Sequence, residues 1–204
     1  MMDYHSTNKK MGIRTLVNVA LMGVVSFVLM NARMPVFFAP PFMDIDVSEM
    51  PALIASFGLG PLAGFLVVVL KIALKTLFNG TSTQYVGELS NIIVSSALVV
   101  PAGIIYSRRK TFKTAITALI VGIITMSVIA TLSNYFVIFP LYGKLMGIDL
   151  EAFANMVKKM NPLVKDYKTL MLFSIVPFNI LKGILTSILT LLLYKRVIPF
   201  VRKG

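Results

Sequence analysis

Long apolar runs separated by short polar connections dominate the pattern along this chain of 204 residues. Runs of about 20 predominantly apolar residues are typical of transmembrane helices. Five such runs lie at about residues 13–32, 62–78, 85–106, 115–139 and 169–194. A shorter helix is predicted from Ser48 to Phe57, because Ser-Glu followed by Pro51 is a typical helix start. The pattern therefore predicts an all-α integral membrane protein with six transmembrane helices, of which the second is short.

An irregular segment separates the first run from the short helix. Three prolines and two aspartates lie between Pro35 and Asp46. Irregular backbone at membrane depth is tolerated where it is buried in protein or lines a cavity. A short helix leaves room above it into which this segment can dip. We expect this first external loop to act as a lid over a small-molecule site that opens outward.

The composition fits a membrane protein, with 57% hydrophobic and only 14% charged residues. Soluble domains are about 25% charged. The chain has no cysteine, and its single histidine, His5, lies in the polar N-terminal segment. The usual cysteine and histidine metal ligands are thus missing, and we predict no metal site.

The distribution of basic residues predicts the orientation. Eleven lysines and arginines, against the single acid Asp3, lie before or at the start of the first run, in the central loop near Arg108–Lys113, and after the last run. Cytoplasmic loops carry such an excess, so we place both termini and the central loop in the cytoplasm. The predicted organisation is a basic cytoplasmic tail (1–12), one six-helix membrane domain (13–198) and a basic C-terminal tail (199–204). The net charge of +12 could also suggest nucleic-acid binding, but its placement favours orientation in a lipid bilayer.

Polar side chains cluster in the outer halves of the last three predicted spans. Amides both donate and accept hydrogen bonds, and an ammonium donates, so they suit a neutral polyhydroxylated or heteroaromatic ligand. An interhelical hydrogen bond is the alternative for any single asparagine, and we favour it for Asn91. Asn179 with Lys182 favours a ligand site, because a charge inside the membrane requires a reason. The candidate ligand-binding residues are Phe37, Phe42, Asp46, Glu49, Lys75, Tyr85, Glu88, Asn91, Asn134, Asn179 and Lys182.

Two lysines in the third predicted span have different expected roles. Lys71 lies deeper and is expected to pair with an acid such as Asp46 or Glu49. Lys75 lies near the outer end, where it either faces the cavity or extends to the membrane surface. An amphipathic helix is also predicted within the long external loop at 142–166, from apolar positions such as Phe153 and Val157.

A stripe of small residues, Ala20, Gly23 and Ser26, follows one face of the first helix. Small residues allow two membrane helices to approach closely. The stripe therefore indicates either packing inside this protein or a docking face for a helix of a partner.

Catalytic and energy-coupling motifs are missing from the sequence. No G-x-x-x-x-G-K-[ST] phosphate loop, HExxH helix or nucleophile–histidine pair occurs. We therefore predict that the chain is not an enzyme and does not hydrolyse nucleotide itself. A binding protein of this kind needs a partner, or another energy source, to release its ligand inward.

Three segments carry a family resemblance: Asp44–Pro51 (DIDVSEMP), Phe57–Gly64 (FGLGPLAG) and Pro177–Gly183 (PFNILKG). With the six spans and the basic N-terminus, they resemble the S components of energy-coupling-factor (ECF) vitamin transporters, in particular the riboflavin-specific ones. The resemblance implies riboflavin as transported ligand, no cofactor, and the plasma membrane of a bacterium.

The resemblance also implies partners, namely a transmembrane T component and two cytoplasmic ATPase subunits. It makes the small stripe of the first helix the T-component face, although Val24 replaces the second alanine of the family's A-x-x-x-A pattern. Two alternatives stay open at this point. One is an S component for thiamin or biotin, and the other is a standalone secondary carrier of a small polar aromatic molecule.

Overall fold

The computed structural model describes residues 11–203, with side chains as far as residue 200. Most of the predicted N-terminal tail, including His5, lies outside the described residues. The elements in chain order are α1 (Ile13–Asn31), β1 (Met34–Pro35), β2 (Asp44–Ile45), α2 (Glu49–Leu59), α3 (Pro61–Asn79), α4 (Val86–Arg108), α5 (Phe112–Ser133), π1 (Asn134–Ile138), α6 (Phe139–Met146), α7 (Leu150–Lys158), α8 (Tyr167–Leu170), π2 (Met171–Ile175) and α9 (Val176–Lys203).

Within the described residues, five helices are long and apolar enough to cross a membrane: α1, α3, α4, Phe112–Met146 and Tyr167–Phe200. The sixth predicted transmembrane helix is α2, which has 11 residues. At 1.5 Å per residue it is about 16 Å long, well short of the ~30 Å of hydrocarbon. The five long helices therefore form the membrane-crossing framework, and α2 lies within it.

Helix α2 is the centre of the bundle. Its residues from Pro51 to Phe57 are all buried, and it contacts α1, α3, α4 and α9. A Cβ atom built on Gly64 of α3 would lie 2.6 Å from Val99 Cγ1 and 2.8 Å from the Ala52 carbonyl oxygen. Glycine at this position therefore allows three helices to pack more closely than a larger residue would permit.

Two π-helical segments interrupt the long helices near the same end of the bundle. A π segment adds a residue to one turn and frees a backbone carbonyl from the regular helical ladder. The Tyr167 hydroxyl donates to the carbonyl oxygens of Asn134 (3.2 Å) and Tyr135 (2.8 Å) in π1. At the start of α8, the Thr169 backbone N–H donates to the Asp166 carboxylate and lowers the pKa of that carboxyl.

The predicted external loop contains more helix than expected. The helix of the fifth span continues to Met146, past its predicted end at residue 139. The amphipathic helix is present as α7, and it buries Phe153, Ala154 and Val157 against the bundle. The rings of Phe153 and Phe139 stack with centroids 4.9 Å apart.

The segment before α2 forms a short antiparallel hairpin, in which Met34 pairs with Ile45 and Pro35 with Asp44. This two-stranded pairing is a departure from the all-α prediction. The loop of the hairpin is held down, because the Ser174 hydroxyl of π2 donates to the Phe38 carbonyl oxygen at 2.6 Å. At the other terminus, α9 continues through Lys203.

Candidate functional site

A cleft of about 780 Å³, measured to include its open mouth, lies at the end of the bundle that carries the β-hairpin. The end of α1, the hairpin, the first turns of α4, the π1–α6 region and α9 supply its walls. Small-molecule sites usually combine apolar walls with a few precisely placed polar groups. The lining of the cleft has this combination of groups.

Three asparagine side chains line the cleft with hydrogen-bonding capacity to spare. The side-chain N–H groups of Asn91 and Asn179 donate to the carbonyl oxygens of Gly87 (3.0 Å) and Ile175 (2.8 Å), which leaves their amide oxygens available. The amide of Asn134, which is buried, forms no hydrogen bond within the described part of the chain. A ligand in the cleft therefore meets both donors and acceptors.

Aromatic rings form part of the apolar wall. Phe42, on the hairpin loop, packs its ring 5.9 Å from Phe139 and 5.5 Å from Tyr142, measured between centroids. Phe178 of α9 lines the cleft and packs against the hairpin residues Ala39 and Ile45. The hairpin thus closes one side of the cleft with apolar contacts.

A buried ionic network lies beside these rings. The Lys182 ammonium lies 3.1 Å from Asp46 Oδ2 and 3.2 Å from Glu49 Oε1, and Lys71 lies 2.9 Å from the same Glu49 oxygen. All four side chains are buried. Asp46 and Lys182 line the cleft, whereas Glu49 and Lys71 lie behind them. The predicted pairing of Lys71 with an acid is present, and Glu49 is its partner.

A second lobe of about 620 Å³ shares part of the wall of the main cleft. Lys75 and Glu88 form an ion pair at its edge, and Glu88 also accepts from the hydroxyls of Thr81 (3.1 Å) and Thr83 (2.9 Å). Lys75 therefore has an acidic partner rather than only extending to the membrane surface. Asn91 lines both lobes.

Nine of the eleven predicted ligand-binding residues fall in this region, in the main cleft, the second lobe or the network directly behind them: Phe42, Asp46, Glu49, Lys75, Glu88, Asn91, Asn134, Asn179 and Lys182. Two do not. Phe37 is 72% exposed on the outside of the hairpin loop, and Tyr85 is 62% exposed in the turn before α4. Tyr85 has a φ of +68°, and neither ring lines the cleft.

Several lining residues were missed at the sequence level, including Arg33, Ser90, Phe139, Tyr142 and Phe178. Phe139 and Phe178 lie within apolar runs, and Tyr142 lies at the start of the predicted external loop; none carries a signal that separates it from ordinary core residues. Arg33 follows the first span and could have been noted as a cation at the mouth of the site. Its Nε donates to the Met30 carbonyl oxygen at 3.1 Å.

The small stripe of α1 is not one exposed surface in the structure. Gly23 and Ser26 are buried, and a Cβ atom on Gly23 would lie 2.4 Å from Leu70 Cδ2 of α3. Their small size therefore serves packing within this chain, which corrects the prediction that they form a docking face. Ala20 is exposed.

The long apolar helices and the polar cleft define a multi-pass membrane protein with a candidate ligand site at one end of its bundle. Comparison with known proteins agrees with this class. The family model of the ECF transporter substrate-specific component matches residues 14–194. The chain therefore belongs to the substrate-specific component family of ECF transporters, which are transporter subunits and not enzymes.

Individual relatives match over nearly the whole chain. The riboflavin transporter RibU of Staphylococcus aureus (strain TCH60) is 32% identical over 190 residues, which cover 93% of each protein. The riboflavin transporter FmnP of Bacillus subtilis (strain 168) is 27% identical over 196 residues, 95% of this chain and 96% of that protein. A solved S component of a bacterial ECF transporter superposes with a TM-score of 0.72 at 32% identity, over 93% of this chain and 98% of that one.

Proposed function

We propose that this chain is the riboflavin-binding S component of an ECF transporter in the plasma membrane of a bacterium. The observation that carries the proposal is the cleft, in which three amides, an ammonium and aromatic rings converge at one end of the bundle. The similarity to two proteins named riboflavin transporters supports riboflavin as the ligand.

The chemistry of the cleft suits riboflavin. The vitamin has a flat tricyclic ring with carbonyl and N–H groups along one edge, and a chain of hydroxyl groups. Rings such as Phe42 and Phe178 offer flat apolar contact for the tricycle. The amides of Asn134 and Asn179 and the ammonium of Lys182 offer complementary hydrogen bonds to carbonyls, N–H groups or hydroxyls.

We assign ligand-contact or supporting roles to the nine predicted residues of this region. The second lobe adds the hydroxyl of Thr83 and the Lys75–Glu88 pair. Their dense hydrogen-bonding groups suit a polyhydroxylated part of the ligand. Phe37 and Tyr85 are left out of this assignment, because both lie outside the two lobes.

The excess of basic residues at the opposite end of the bundle supports an orientation in which both termini are cytoplasmic and the cleft faces outward. The hairpin loop then acts as the lid. Beyond the cleft the core is filled by apolar side chains such as Leu53, Phe57 and Leu98. Inward release therefore requires a partner, which we propose to be a T component with two cytoplasmic ATPase subunits.

We place the docking face for the T component on the outward surface of α1. Ala20 lies there among exposed apolar residues such as Leu16, Val17 and Val24. A small residue among larger ones allows close approach of a second helix.

Ligand binding by the purified protein tests the function. We expect the protein in detergent to retain yellow flavin or to quench the fluorescence of added riboflavin, with one ligand per chain. Thiamin and biotin should not compete. A colourless sample that leaves flavin fluorescence unchanged and binds thiamin or biotin would contradict riboflavin as the ligand.

Transport tests the partnership. Uptake into vesicles should require co-reconstituted T component and ATPases together with ATP. Uptake by this chain alone, driven by an ion gradient, would identify a standalone carrier instead.

A further inference from the structure

Lys71 does not line the cleft, but it belongs to the buried ionic network that includes the cleft residues Asp46 and Lys182. Its side chain is 0% exposed, and its ammonium donates to Ser48 Oγ at 2.7 Å and to Glu49 Oε1 at 2.9 Å. Neither lobe of the cleft includes Lys71 among its lining residues. Any effect of this lysine on a ligand must therefore act through its neighbours.

The two neighbours, Ser48 and Glu49, belong to the segment that starts at Asp46, and the carboxylates of this segment pair with Lys182. The Ser48 backbone N–H donates to Asp46 Oδ1 at 2.8 Å, while the other oxygen of Asp46 faces Lys182 at 3.1 Å. Glu49 Oε1 accepts from Lys71 and Ser95 and lies 3.2 Å from Lys182. Lys71 thus contacts the segment at two points, the Ser48 hydroxyl and the Glu49 carboxylate, and it bonds directly to one of the two carboxylates that face Lys182.

The number of donors on Lys182 matters for binding. An ammonium has three N–H groups; that of Lys182 donates one to Asp46 and forms an ion pair with Glu49 at 3.2 Å. At least one N–H group therefore remains for a ligand, and Lys182 lines the cleft. This N–H group is available to a ligand only while the Lys182 ammonium stays between Asp46 and Glu49. It would be lost to the ligand if the ammonium moved onto one of the two carboxylates.

The charges of the network also balance. Two carboxylates and two ammonium groups, on side chains each at most 9% exposed, sum to zero. Without the charge of Lys71 the network would be left with one excess negative charge and with Glu49 lacking its nearest cation. A buried unpaired charge is strongly unfavourable, so Lys182 would be drawn towards Glu49 and away from the cleft.

We propose that Lys71 is a positioning residue for ligand binding, which holds Glu49 and balances its charge so that Lys182 keeps one N–H group for the ligand. The inference rests on the proposed function, because riboflavin binding supplies its readout. Lys71, in the interior of α3, would then affect the affinity for the ligand without contacting it.

Three variants and one control test the proposal: Lys71→Met, Glu49→Gln, the double variant Lys71→Met/Glu49→Gln, and Lys113→Met as an exposed lysine on α5. The dissociation constant comes from quenching of riboflavin fluorescence, and thermal unfolding without ligand reports stability separately. We expect Lys71→Met to weaken binding about tenfold or more, in the range of charged hydrogen bonds. The control should bind like the natural sequence.

The double variant separates positioning from a purely structural role. It restores neutrality, with one carboxylate and one ammonium left, so it should bind more tightly than either single variant. Should Lys71→Met fail to fold, the comparison of the double variant with Glu49→Gln still decides. Unchanged affinity in folded Lys71→Met, or a double variant that binds no better than Glu49→Gln, overturns the proposal. Failure of the natural sequence to bind riboflavin would instead contradict the proposed function.

Discussion

Replacing Asn134 by alanine probes the cleft with little disturbance of the fold. The Asn134 side chain is 4% exposed and lines the cleft, and its amide forms no hydrogen bond within the described part of the chain. The substitution therefore breaks no internal side-chain bond. Its backbone carbonyl still accepts from the Tyr167 hydroxyl, so π1 keeps that contact.

The expected change in affinity follows from the hydrogen bond that the ligand loses. A buried polar group left without its partner costs about 1–3 kcal/mol. At about 1.4 kcal/mol per tenfold change, this predicts a dissociation constant for riboflavin raised about 5-fold to 150-fold. The unfolding temperature without ligand should stay close to that of the natural sequence, because the side chain gives up no hydrogen bond within the protein.

The assay is a quenching titration of riboflavin with the purified protein, paired with thermal unfolding in the same detergent. Asn155→Ala is the matched control, since Asn155 is exposed on α7 outside the cleft. An Asn134→Ala protein that unfolds normally and binds within twofold of the natural sequence would refute the placement of the ligand.

Three further predictions concern packing, the π1 segment and docking. Gly64→Ala should destabilise the protein by about 1–3 kcal/mol, because the added methyl group meets Val99 and a backbone carbonyl; thermal unfolding measures this. Tyr167→Phe should lower stability by about 1 kcal/mol and also weaken riboflavin binding, since π1 positions Asn134; unfolding and quenching titrations measure the two effects. Ala20→Leu should leave riboflavin affinity unchanged but reduce ATP-driven uptake in reconstituted vesicles, because the added bulk blocks close helix approach.

Each of these has a control and a contradicting outcome. Gly12→Ala adds a methyl group where nothing lies within 4 Å, and equal stability of the two glycine variants would argue against tight packing at Gly64. Tyr135→Phe removes a hydroxyl from the ring stacked on Tyr167. If this variant lost as much stability and riboflavin affinity as Tyr167→Phe, the Tyr167 hydroxyl would have no specific role in holding π1. For Ala20→Leu, normal uptake would place the docking face elsewhere.

Much of the helical framework follows from local sequence. Apolar runs and their basic flanks predict where the long helices lie along the chain, because membrane insertion depends on segment hydrophobicity and flanking charge. The polar residues of the cleft were predictable for a related reason. A charge such as Lys182 within an apolar run is costly unless it has a partner, so its presence indicates a site.

Other features depend on tertiary contacts that a single sequence does not display. The π1 segment is stabilised by Tyr167, which lies more than 30 residues away along the chain. The sequence also leaves open which way a helix face points when nearly all of its residues are apolar. The stripe of small residues therefore predicts a partner face at Gly23 and Ser26, although both are buried within this chain and Gly23 packs against Leu70 of α3. Aromatic lining residues such as Phe178 resemble core residues until the cleft is seen.

Structure determination of the protein with riboflavin bound tests the central claim most directly. The account predicts one flavin in the cleft, with hydrogen bonds to Asn134, Asn179 or Lys182 and with Phe42 against its ring. A flavin bound elsewhere on the bundle, or one in the cleft that contacts none of these three polar side chains, would contradict it.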